Sequence, residues 1–114
     1  MKLLEKRAGL FFFSWLFVLL FITSYPKPEL GLPSNLPWDK LIHFCLYAPF
    51  AFLGLYFSTK LERGRRAFLI FLLLWPLLDE LHQIPIPGRG ASIMDLVADY
   101  VGMAVGGILF LKRI

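Results

Sequence analysis

Residues 92–111 read SIMDLVADYVGMAVGGILFL. This run is apolar and long enough for a membrane-spanning helix, yet it carries Asp95 and Asp99. At 100° per residue, Ser92, Asp95, Asp99, Gly102 and Gly106 share one stripe. Asp99 sits seven residues beyond Ser92, or about 10 Å deeper along a helix axis. A bare carboxylate in the middle of a span costs about 2.5–3.5 kcal/mol on insertion scales. The stripe must therefore face a protein interior, where Asp99 is paired, protonated or wetted. Gly102-x-x-x-Gly106 on the same stripe lets another backbone approach closely. That is a packing role first, and it also offers a contact for a homo-oligomer.

Working outward, three further apolar runs precede this one. The first is Ala8 to Ser24, with Lys2, Lys6 and Arg7 before it. Its 17 residues reach roughly 25 Å, just enough to span. No A-x-A-like cleavage site follows, so an uncleaved first helix is expected rather than a signal peptide. Tyr25 to Trp38 contains Pro26, Pro28, Pro33 and Pro37, which exclude a helix there. It reads as an interfacial loop with Tyr25 and Trp38 as aromatic anchors. The second run, 40–58, contains Pro49, which frees the carbonyl of Cys45 and favours a kink. A charged turn with Lys60, Glu62, Arg63, Arg65 and Arg66 leads to the third run, 67–84, interrupted by Pro76 and closed by Pro85, Pro87 and Gly88.

Composition agrees with lipid as the solvent. Of 114 residues, 58% are hydrophobic and 18% charged, against about 45–50% and about 25% in soluble domains. A soluble domain this small cannot hide so much apolar surface. The net charge of +4 does not indicate nucleic-acid binding, because the basic residues sit in short blocks between apolar runs. Nine of the twelve Lys and Arg (Lys2, Lys6, Arg7, Lys60, Arg63, Arg65, Arg66, Lys112 and Arg113) fall on one side. Lys27, Lys40 and Arg89 fall on the other. The positive-inside rule places both termini in the cytoplasm. The expected architecture is all-α: one polytopic domain over 1–114, a bundle of four transmembrane helices. Cys45, the single cysteine, is expected as a small buried hydrophobe.

The informative polar residues gather toward the outer side. Asp39, Lys40, His43 and Tyr47 lie within about 100° on the second helix. Glu80 and Gln83 are i, i+3 neighbours on the third, and Asp95 and Asp99 share the stripe on the fourth. Lys40 and Arg89 are the cations nearest these acids, and His43 could hydrogen-bond a carboxylate. Glu80, Asp95 and His43 are the candidates for acid–base chemistry. Asp39, Lys40, Gln83, Arg89, Ser92 and Asp99 are candidates for binding. Blander readings compete: Lys40 and Asp79 near helix ends are expected in the headgroup layer, and His82 points away from Glu80 toward the interface. A metal site competes as well, since Asp39 and His43 are i, i+4 and Glu80 and Asp95 could complete a carboxylate-rich set. With one strong nitrogen ligand and loose spacing, no metal and no cofactor are expected. Ser92 has no nucleophile motif around it.

Taken in order, Asp39-Lys40-x-x-His43, Asp79-Glu80-x-x-Gln83, Pro87-Gly88-Arg89-x-x-Ser92-x-x-Asp95 and Gly102-x-x-x-Gly106 resemble the signature of VanZ-like membrane proteins. The resemblance runs from about Trp38 to Gly107. It departs at Asp99, where that family commonly has Asn, which adds a negative charge to a position otherwise suited to neutral hydrogen bonding. The family takes its name from a protein linked to low-level teicoplanin resistance. The resemblance implies a multi-pass protein of the bacterial inner membrane with an envelope role, and it implies no established reaction. The reading that results is an outward-facing polar pocket that handles a lipid or a lipid-linked or cell-wall component, with membrane lipids as partners. Its rivals are a membrane enzyme acting on a lipid headgroup, a proton-coupled carrier using Asp95, Asp99 and His43, and a structural or partner-binding protein. The inner halves of the spans hold little ionisable material, which counts against the carrier.

Overall fold

The computed structural model describes residue 3 and residues 6–24, 38–85 and 93–113, of which Trp38 and Asp39 are described in backbone only. The described residues form four helices and no strand: α1 (Ala8–Ser24), α2 (Trp38–Ser58), α3 (Arg65–Gln83) and α4 (Ile93–Leu111). These match the four apolar runs to within two residues at each end. Trp38 already belongs to α2 rather than to the preceding loop. Tyr25 and the four loop prolines lie outside the described residues.

α2 is the central helix, because both of its faces carry large apolar side chains. Phe12 and Leu19 of α1 pack with Leu46, Tyr47 and Phe50 of α2 and Leu72 of α3 in one buried cluster. Phe12 anchors it, with its ring 5.6 Å from Phe50, 6.1 Å from Phe57 and 5.2 Å from Phe68. These are offset and edge-on separations in the favourable range. At the other end, Ala8, Tyr56 and Phe110 form a second cluster. Arg113 caps it, with its guanidinium 3.8 Å from the Phe110 ring centre and its Nη1 donating to the Phe110 carbonyl at 2.7 Å.

α2 and α4 approach most closely, and the glycines of the acidic stripe are the reason. A β-carbon on Gly102 would lie 2.6 Å from the Phe44 carbonyl oxygen, and one on Gly106 would run into that of Ala48. The small residues thus serve a contact inside the chain, and a self-association would have to use another face. Between α2 and α3 the chain turns through Gly64 at φ 76°, a left-handed conformation that suits glycine. Arg65 then reaches back, its Nε donating to the Ser58 carbonyl at 2.9 Å, an acceptor it shares with the Leu61 N–H at 3.2 Å, and so ties the turn to the end of α2.

Both internal prolines are accommodated within continuous helices. In each case a neighbouring helix donates to the carbonyl three residues before the proline. Trp15 Nε1 donates to Leu46 O at 2.7 Å beside Pro49, and the Tyr100 hydroxyl donates to Leu73 O beside Pro76. The carbonyls that the prolines free are those of Cys45 and Leu72, four residues back, and the two donors reach the next carbonyl along, tying α1 to α2 and α4 to α3 beside each proline.

The outer surface is strongly apolar, with Phe17, Leu73, Ile93 and Leu111 all more than half exposed. α2 and α4 are long and apolar enough to cross a membrane, and only about a quarter of the apolar stretch of α4 is buried. A core helix of a soluble protein would be mostly covered. α1 is apolar around its whole circumference, as a helix in lipid can be.

Candidate functional site

The acidic stripe of α4, the first turns of α2 and the last turns of α3 meet at one end of the bundle. His43 is the hub. Its Nδ1 lies 2.6 Å from Asp99 Oδ1, with both side chains essentially excluded from the surface. An ionised carboxylate only accepts hydrogen bonds, so with Asp99 ionised the proton sits on Nδ1. The other ring nitrogen, Nε2, is 3.8 Å from Asp95 Oδ2. Asp95 turns its second oxygen, Oδ1, to the Lys40 ammonium at 2.6 Å. Glu80 completes the group: one ligand-capable atom from each of His43, Glu80 and Asp95 lies within 4.8 Å of the others, and all three residues are buried. Lys40 stands at the margin with 37% of its side chain exposed. It is the half-wet member of the pair, where it was expected in the headgroup layer.

The three candidates for acid–base chemistry, Glu80, Asp95 and His43, are therefore together. Lys40 and Asp99 each touch one of them. Gln83 is also buried, one turn from Glu80, and its Nε2 has no hydrogen-bond partner among the described residues. The Asp39 side chain, Arg89 and Ser92 lie outside the described residues. His82 is exposed as expected, with Nε2 2.8 Å from Ser24 Oγ.

Two expectations are corrected. Asp79 is not in the headgroup layer but 1% exposed. Thr23 Oγ1 donates to its Oδ1 at 3.0 Å and Tyr47 Oη to its Oδ2 at 2.7 Å. One carboxylate thereby ties α1, α2 and α3 together beside the His43 group. Two donors to a buried carboxylate satisfy much of what water would otherwise supply. Thr23 and Tyr47 were not among the candidate residues. Tyr47 was visible as the i+4 neighbour of His43, and Thr23 only as a hydroxyl in an apolar run. Cys45 is exposed rather than buried. It lies two residues from both His43 and Tyr47, about 200° around the helix from the packed stripe.

Inward of the polar group, the same three helices border an apolar groove of about 440 Å³. Ala51 and Leu55 of α2, Leu69 and Leu73 of α3, and Met103 and Ala104 of α4 line it. On α4 its lining runs from Tyr100, the residue after Asp99, to Ala104. A short polar site and an apolar groove thus share one set of walls, an arrangement suited to an amphiphile.

No curated protein and no solved structure matches the chain. A family model described as VanZ/LLP1 matches residues 4–113, nearly the whole chain and more than the motif-bearing part. The ordered acids, the His43 hub and the glycine stripe thus sit in a domain of known type, and the chain belongs to the VanZ/LLP1 family.

Proposed function

We propose that the His43–Glu80–Asp95 group is the head-binding end of a site for a membrane lipid or lipid-linked envelope component. The observation that supports this is the groove: the three helices that bring the polar group together also border an apolar groove. The head would meet Lys40 and Arg89 through charge-assisted hydrogen bonds, and an acyl chain would lie along Leu69, Leu73 and Met103. Glu80 and Asp95 would position the head or exchange protons with it. The site belongs, in this reading, to a multi-pass protein of the bacterial inner membrane with four spans, both termini cytoplasmic and the polar group facing outward. Teicoplanin resistance is the phenotype that the family name suggests trying first.

A second reading, an enzyme acting on a lipid headgroup, draws on the Asp99–His43 pair. A histidine whose proton is held on Nδ1 presents Nε2, the basic nitrogen of that tautomer, toward Asp95. The purely structural alternative holds that these groups only lock the helices.

One set of variants separates site from scaffold. Glu80→Gln and Asp95→Asn keep shape but remove ionisation, and Arg89→Lys keeps charge but loses the planar fork. Glycopeptide susceptibility or membrane lipid composition is measured per unit of folded protein from fluorescence-detected size exclusion. Loss of phenotype at constant folded protein is expected. Unchanged specific activity in all three variants would falsify the site reading. Orientation is tested by cysteine labelling at Ser34 and Gly64 in a Cys45→Ala background. An impermeant reagent should reach position 34 and not position 64 in intact cells, and the reverse pattern overturns the topology.

A further inference from the structure

We propose that His43, Glu80 and Asp95 form a site for a divalent transition-metal ion, with Zn²⁺ preferred. The sequence argued against a metal because it offers one nitrogen ligand at loose spacing. The folded arrangement changes both considerations. Three donor atoms no more than 4.8 Å apart leave a point within about 2.8 Å of each, so an inward movement of about 0.6–0.8 Å by each ligand reaches the ~2.0–2.2 Å of zinc bonds to nitrogen and oxygen. The 3.8 Å between His43 Nε2 and Asp95 Oδ2 is too long for a hydrogen bond. It is close to the ~3.3 Å edge of a tetrahedral site with such bonds.

The surroundings of His43 are those of a metal ligand. With Asp99 ionised, Nδ1–H donates to it at 2.6 Å, which fixes the ring and the tautomer and leaves Nε2 facing Asp95 at 3.8 Å. A carboxylate behind a histidine in this way is the usual outer-shell partner of a metal-bound imidazole, and it raises the basicity of the ring. Asp99 is 0% exposed and His43 1%, so the orientation is held by packing and not by solvent. Asp95 divides its oxygens: Oδ1 goes to Lys40 and Oδ2 faces the ring. The lysine charge is thus kept on the outer, half-exposed side of that carboxylate. One imidazole and two carboxylates with no thiolate suit Zn²⁺ or Mn²⁺, and the Irving–Williams order places Zn²⁺ ahead. Mg²⁺ is disfavoured, since it prefers an all-oxygen set. Three protein ligands leave a coordination position open, to which an oxygen of a headgroup could bind. The site does not depend on the lipid reading, because the metal alone is the probe.

The experiment uses the full chain in detergent with any affinity tag removed, stripped with chelator, dialysed and titrated with ZnCl₂ by calorimetry. One equivalent should bind per chain. His43→Ala and Glu80→Gln should abolish it. Asp99→Asn should weaken it by about 10–100-fold at unchanged stoichiometry, as outer-shell substitutions do. His82→Ala and Cys45→Ala, which alter the exposed histidine and thiol, should leave it unchanged. Size exclusion confirms folding, and where His43→Ala fails to fold, Glu80→Gln and Asp99→Asn decide the matter. Absence of saturable Zn²⁺ binding by the folded wild type overturns the proposal, as does binding that survives both Glu80→Gln and Asp99→Asn at full affinity. Zinc binding together with an unchanged phenotype in the lipid experiment would leave the metal site standing and remove the lipid reading.

Discussion

Gly106 and Gly107 are adjacent in sequence and opposite in consequence, which makes them a matched pair of probes for the α2–α4 contact. A β-carbon at Gly106 meets the backbone of Ala48, whose carbonyl oxygen cannot rotate away, whereas one at Gly107 meets, among the described residues, Leu55 Cδ1 alone at 3.8 Å. Both substitutions to Ala gain the same helix propensity, about 1 kcal/mol relative to Gly. That term cancels in the difference between them. What remains is the strain of forcing α2 and α4 apart by about an ångström to restore van der Waals contact, which overpacking data put at about 1–3 kcal/mol. Gly106→Ala should therefore be less stable than Gly107→Ala by that amount, and Gly102→Ala should resemble Gly106→Ala because its β-carbon meets Phe44 O at 2.6 Å. The same ångström matters to the site. His43 precedes Phe44 directly, and a 2.6 Å contact with Asp99 does not survive such a displacement. Thermal unfolding in detergent, followed by fluorescence-detected size exclusion, measures the ordering. If Gly107→Ala loses as much as Gly106→Ala, the close approach does not hold the helices in register and the reasoning fails.

Two further outcomes follow from the buried acids. Thr23→Val and Tyr47→Phe should each cost about 0.6–1.7 kcal/mol, from the average to the maximum found for interhelical hydrogen bonds in a membrane protein. Because they share the Asp79 carboxylate, a double-mutant cycle should show coupling, and strict additivity would contradict the shared acceptor. Asp99→Asn keeps an acceptor for the His43 ring, while Asp99→Leu removes it and leaves a buried imidazole without its partner. Asp99→Leu should be the more damaging, at about 3–5 kcal/mol if the pair is ionised, and equal midpoints for the two variants would exclude a structural role for that contact.

Periodicity carried most of what was legible. The α4 stripe was readable because a carboxylate inside a span has to face protein, and the structure buries Asp95, Asp99, Gly102 and Gly106 together. The meeting of His43, Glu80 and Asp95 followed from three polar faces at one depth. What sequence could not provide was the pairing. Nothing in the spacing says that His43 takes Asp99 on one nitrogen and faces Asp95 with the other, since that depends on how far α4 slides along α2, which the glycine contacts with Phe44 and Ala48 determine. Asp79 was misplaced for a related reason. A polar residue near a helix end is usually solvated, and only the hydroxyls of Thr23 and Tyr47, 56 and 32 residues away, make its burial tolerable. The misreading of Cys45 was avoidable, because its position opposite His43 and Tyr47 on the helical wheel already pointed outward.

The order of burial within the polar group bears on how it works. Lys40 is partly exposed, the Asp95 side chain 6%, His43 1% and Asp99 0%. Each group toward the interior is held by the next: Lys40 on Asp95, Asp95 beside His43, His43 on Asp99. Desolvation strengthens every one of these interactions as depth increases, so the deep Asp99–His43 contact is the rigid end and the Lys40–Asp95 pair the exchangeable one. Lys40 is the one member of the series with substantial access to solvent, and the histidine beneath it is already oriented by Asp99. The tight helix approach at Gly102 and Gly106 is what allows this division, because it brings α2 and α4 close enough for His43 to reach Asp99 while leaving α3 room to border the groove. Packing and polar chemistry in this protein are consequences of the same stripe of residues.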